Sequence, residues 1–149
     1  MKRVSLAVAL AFLAAPTARA SGETFTLRWV TSYQCDEVAR EPSVRYGYMH
    51  FVSDTEWDVC TDLFLCALGT NSPVHGTRVL HSARRAVFVG TMETNLLYGG
   101  PTTIEADLVL DREGEVRSVR GTFIAPAVPG GGLASCASRG RFRTTERID

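Results

Sequence analysis

Three arginines, Arg139, Arg141 and Arg143, recur at every second position near the C-terminus. On a β-strand that spacing sends all three guanidinium groups to one face. Their forked, permanently charged donors suit phosphate or carboxylate groups. Phe142 and Ile148 are expected on the opposite face and Arg147 on the arginine side. The distribution of charge agrees: residues 112–149 hold seven arginines and four acids, whereas residues 21–111 hold six and twelve. The same row also reads as a solvated strand whose charges prevent edge-to-edge aggregation, which is the commoner use of charged strands.

Aromatic residues with a polar tip crowd the first half of the chain: Trp29, Tyr33, Tyr46, Tyr48 and Trp57. Such rings line ligand pockets as well as ordinary cores. Trp29, Tyr33 and Tyr46 therefore join the three arginines as candidate ligand-binding residues. His50, His75 and His81 would form an acid–base or metal site only if the fold gathered them. The acid–base version pairs His50 or His81 with Asp107 or Glu93.

The stretch Asp54, Glu56, Asp58 begins like a calcium loop, but Val59 and Leu65 occupy its sixth and twelfth positions, where glycine and glutamate are required. Neither a G-x-S-x-G elbow nor a phosphate-cradling GxxxxGK[ST] loop is present. The glycine-rich segment 126–132 reads as a mobile connection or a flap at a pocket mouth. Without a catalytic signature, the expectation is a non-catalytic binding module for a small or anionic ligand, with no cofactor. A small secreted enzyme and a protein-partner or inhibitor module using loop 69–76 or 126–135 are the alternatives.

Cys35, Cys60, Cys66 and Cys136 are even in number and lack the close C-x-x-C pairs of a zinc site, so two disulfides in an oxidising compartment are expected. Residues 1–20 have the form of a secretory signal: Lys2 and Arg3, an apolar run from Val4 to Ala15, and the small-x-small site Ala18-Arg19-Ala20. Its removal leaves 129 residues, 21–149, as a single exported domain, periplasmic or extracellular. No membrane span is expected, because no apolar run reaches the roughly 20 residues required. The 13 arginines against 16 acids left after position 20 make the domain slightly acidic, which argues against nucleic acid.

The elements positioning these residues follow from periodicity. Alternation marks strands over 24–34 and 43–52, then over 78–82, 86–97, 102–111, 116–125 and 139–148. Gly99-Gly100-Pro101 and Arg112-Glu113-Gly114 fall where hairpin loops belong. Ser53-Asp54-Thr55-Glu56 has the form of a capping box, and 54–68 fits an amphipathic helix ended by Gly69.

Residues six apart on a helix rise about 9 Å, beyond the roughly 7 Å limit for bridged Cα atoms. Cys60 and Cys66 would then bond Cys35 and Cys136 in one order or the other. The helix would also cover Val87, Phe88 and Val89, which are apolar on both strand faces. The fold expected is α+β: a curved, largely antiparallel sheet or partial barrel of about six or seven strands with one packed helix. An all-β barrel is the alternative.

Overall fold

A computed structural model describes residues 22–35, 38–39, 41–67, 72–93, 101–127 and 136–148. The signal segment, loop residues 68–71 and 94–100, and residues 128–135 of the glycine-rich connection lie outside them.

The alternation of β-branched and aromatic residues with polar ones produces nine strands: β1 (Thr24–Cys35), β2 (Val38–Ala39), β3 (Ser43–Phe51), β4 (Glu56–Cys60), β5 (Ser72–Ser82), β6 (Arg85–Met92), β7 (Thr102–Leu110), β8 (Val116–Ala125) and β9 (Ala137–Ile148). Neighbours pair antiparallel in the order β1-β3-β4-β5-β6-β7-β8-β9, and β9 pairs back onto β1 from Gln34 to Thr24. Eight strands thus close a barrel, with the two-residue β2 added to the end of β1. This corrects the expected α+β class to the all-β alternative.

The helix expected over 54–68 does not form. Its capping signal is a genuine local hydrogen bond put to a different use. The Ser53 hydroxyl accepts the Thr55 N–H at 3.3 Å, and the N–H groups of Val52 and Ser53 donate to the Glu56 carbonyl. These bonds fold a tight turn between β3 and β4. Trp57 and Val59 then point inward and Asp58 outward as strand residues. Short runs rich in β-formers fit both periodicities, and here barrel closure decides between them.

The one helical turn among the described residues, α1 (Leu63–Ala67), is capped by Asp62, whose carboxylate accepts the Phe64 N–H at 3.0 Å. Because the chain reverses between β4 and α1, Cys60 and Cys66 come within 5.8 Å at Cα and are bonded. Cys35 bonds Cys136, with Cα atoms 4.3 Å apart and 101 residues between them in sequence. The pairing excluded on helical geometry is therefore the one present. Among the described residues no helix covers β6: Phe88 faces the core while Val89 is 51% exposed on the outer wall.

Inward side chains fill the barrel. On β7, Thr102, Ile104, Ala106, Leu108 and Leu110 are buried while their alternates are exposed. Trp29 stacks between Phe123, at 4.2 Å, and Phe142, at 5.1 Å between centroids. Such offset pairs add roughly 0.5–1.5 kcal/mol beyond their area burial. Two inward-facing glycines make room for this stack. Gly121 is opposite Phe142 and Gly140 opposite Phe123, and a Cβ at either position would lie 2.5 or 2.8 Å from the facing ring. Gly47 is required for another reason, since its Cβ would enter the Cys60 carbonyl.

Candidate functional site

The outer wall formed by β1, β9 and β8 gathers the arginines. Strand register places Arg28 opposite Arg143, and Arg143 opposite Arg120. Arg141 sits opposite Val30 and Thr122, and Arg139 opposite Ser32 and Ile124. Cross-strand neighbours lie about 5 Å apart, and like charges directly opposite destabilise a sheet. Here three guanidinium groups occupy one such row. At its end Arg120 meets Asp107 at 3.3 Å, in an exposed pair worth at most about 1 kcal/mol. Among the described residues no carboxylate lies within ion-pair reach of Arg28, Arg139, Arg141 or Arg143.

Three depressions of about 580, 560 and 490 Å³ lie along this wall. The first and third share Val30, Thr122 and Arg141. The first and second share Asp107, Arg120 and Arg143. Through these shared residues the three adjoin as a row of depressions, a segmented trough that runs beside β9 and then crosses toward the hairpin between β5 and β6, where His81 and Arg85 line it.

The other candidate residues divide among different places. Trp29 is fully buried in the ring stack and Tyr33 is buried at the inner upper rim beside Ser138. Both belong to the filled interior rather than to an aromatic-lined cavity between sheet and helix. Tyr46, 57% exposed, stands opposite Arg28 on the outer wall, so of the three aromatics it alone adjoins the arginines.

The histidines are dispersed. His50 hydrogen-bonds the Thr24 hydroxyl at 2.9 Å, and His75 approaches Glu93 at 3.5 Å in an exposed pair. His81 and Asp107 both line the second depression. Of the partners expected for His50 or His81, Asp107 and Glu93, the second stands against His75 instead.

Arg147 leaves the arginine face. A bulge at Thr145 moves the register from Leu27 opposite Thr144 to Thr26 opposite Glu146. One extra residue reverses the side on which later residues emerge. Arg147 therefore stands opposite Phe25 and turns to the barrel floor, 3.6 Å from both Glu23 and Glu115. The Glu23 carboxyl is buried, which pushes its pKa up to about 7 against the lowering effect of Arg147; Glu115 adds to the rise. Sequence periodicity could locate Arg28 and Arg120 on strands but could not join them to β9, because that requires the closing pair between β1 and β9.

Among the described residues no helix is long and apolar enough to cross a membrane. No family model, curated protein or solved structure matches this chain, so the functional reading rests on its own geometry.

Proposed function

We propose that the chain is an exported, soluble, non-catalytic binding module whose ligand is anionic, held on the outer wall of β1, β9 and β8. The observation that carries this reading is the row Arg28, Arg143 and Arg120, set side by side on three neighbouring strands and extended along β9 by Arg141 and Arg139. An anion lying across the row converts mutual repulsion into charge-assisted hydrogen bonds. Export is supported by the form of residues 1–20 and by two cysteine pairs at bonding distance, which fit an oxidising compartment. Solubility is supported by the barrel interior, which is filled by apolar groups where a membrane-spanning barrel is polar inside, and by the arginines on the outer wall of β1, β9 and β8.

Calorimetric titration with inorganic pyrophosphate at low ionic strength tests the site. Replacing both Arg141 and Arg143 by Ala should weaken binding at least about tenfold, the equivalent of one charge-assisted hydrogen bond. Unchanged affinity in the double variant would remove the arginine wall as the site.

A further inference from the structure

A single small anion needs one well of positive charge, whereas this wall carries a long one. The trough is lined by six arginines, Arg28, Arg85, Arg120, Arg139, Arg141 and Arg143, and by one carboxylate, Asp107. From Arg139 to Arg143 it follows β9 for about 14 Å, at roughly 3.4 Å per residue. Crossing from β9 to β6 adds about 14 Å more, at roughly 4.8 Å per strand. On β9 the guanidinium groups recur about every 7 Å. We infer that the ligand is a linear acidic polysaccharide, lying extended in this trough with successive carboxylate or sulfate groups on successive arginines.

This inference rests on the anion-binding reading of the same wall and narrows the ligand class. The lining favours a saccharide over other polyanions. Ser32, Ser118 and Thr122 place hydroxyl groups between the charges, matching the hydroxyl-rich backbone of a sugar chain. The rings that border the trough, Phe123 and Phe142, are 1% and 3% exposed. They offer little face for stacking, and Tyr46 beside Arg28 adds one exposed ring, whereas single-stranded nucleic acid depends on several successive stacking platforms. The wall's backbone groups are engaged in the barrel ladders, so an acidic peptide finds no open edge to extend.

The test is a titration of the full mature protein with labelled oligogalacturonates of two, four and six sugars. Pyrophosphate, oligothymidylate and oligoglutamate of matched charge serve as comparisons. Affinity should rise about tenfold or more from the dimer to the hexamer as added charges engage further arginines. The hexamer should also show the steeper dependence on salt, because it displaces more counterions.

Arg139→Ser, at one end of the trough, should weaken the hexamer about fivefold and the dimer and pyrophosphate by less than about twofold. The melting temperature should stay the same, since Arg139 is exposed. Equal affinity for dimer and hexamer, with pyrophosphate still bound, would overturn the extended ligand and leave a single-anion site. Tighter binding of oligothymidylate or oligoglutamate than of the hexamer would overturn the saccharide class. Failure of every anion to bind would remove the site itself.

Discussion

At the lower end of the barrel, where β1 begins and β3, β5, β7 and β9 finish, charged side chains meet over the core. Arg78, with 6% of its side chain exposed, donates to Asp54 at 2.7 Å and to the Gly114 carbonyl at 3.3 Å. Arg147 stands between Glu23 and Glu115. In the upper half the fastening is covalent. Cys35–Cys136 ties the end of β1 to the start of β9, and Cys60–Cys66 holds α1 against the end of β4. Arg45 pairs with Asp62 beside that bridge. The floor therefore responds to pH and to the loss of a charge. The upper half responds to reductant, and it keeps its two covalent connections when carboxylates, Asp62 among them, are protonated.

The largest expected effect belongs to the long bridge. Replacing Cys35 and Cys136 together by Ala should destabilise the domain by about 4–5 kcal/mol on the loop-entropy relation for about 100 residues, against about 2 kcal/mol for Cys60 and Cys66 together. Urea unfolding of the two double variants measures the gap. Equal losses would mean that strand closure by β1 and β9, not the bridge, restrains the upper end.

Arg78→Ala should follow, at about 2–3 kcal/mol by thermal unfolding. It removes a buried guanidinium and leaves Asp54 without that partner, but Asp54 is partly solvated, which moderates the loss. A loss below about 0.5 kcal/mol would show that the floor is held by its apolar contacts instead.

Glu23→Gln gives the smallest effect and the most diagnostic one, because it emerges only as pH rises. Burial raises the Glu23 carboxyl from 4.5 to about 7, so the folded chain keeps a proton that the unfolded chain has released. The stability linked to that proton is complete below about pH 4.5 and is lost as pH rises through about 7. The variant should therefore match the parent near pH 5 and melt higher than it at pH 8, by the equivalent of about 1–2 kcal/mol. Parallel pH profiles would remove the buried carboxyl from the account of the floor.

Much of the barrel wall was legible from alternation alone. On β7 and β8 the expected bounds agree with the structure to within a residue, since one wet and one dry face leave a period-two pattern with no competing reading. The turn at Arg112-Glu113-Gly114 was also visible. Asp111 accepts the N–H groups of Glu113 and Glu115, and Gly114 adopts φ 84°. The helix failed where Ser53 and an apolar run satisfied two local descriptions at once, and only the partner strands β3 and β5 distinguish them. The disulfide inference failed with it.

The candidate site was half visible. Arg139, Arg141 and Arg143 share a face as their spacing requires. Their alignment with Arg28 and Arg120 is a property of long-range pairing, which no local pattern encodes. Arg147 was misplaced because a bulge leaves no mark in a two-residue period until its partner strand is known.

That bulge at Thr145 acts as a frame shift in three dimensions. It lets one strand deliver Arg143 to the solvent wall and Arg147, four positions later, to the floor. Losing the bulge while Thr145 is retained would pair Thr145 with Thr26, carry Arg147 out to the wall and bring Glu146 round opposite Phe25. Such a one-residue slip would exchange the basic member of the floor for a third carboxylate beside Glu23 and Glu115, turning a neutralised closure into a self-repelling one, whereas deleting Thr145 outright would keep Arg147 on the floor.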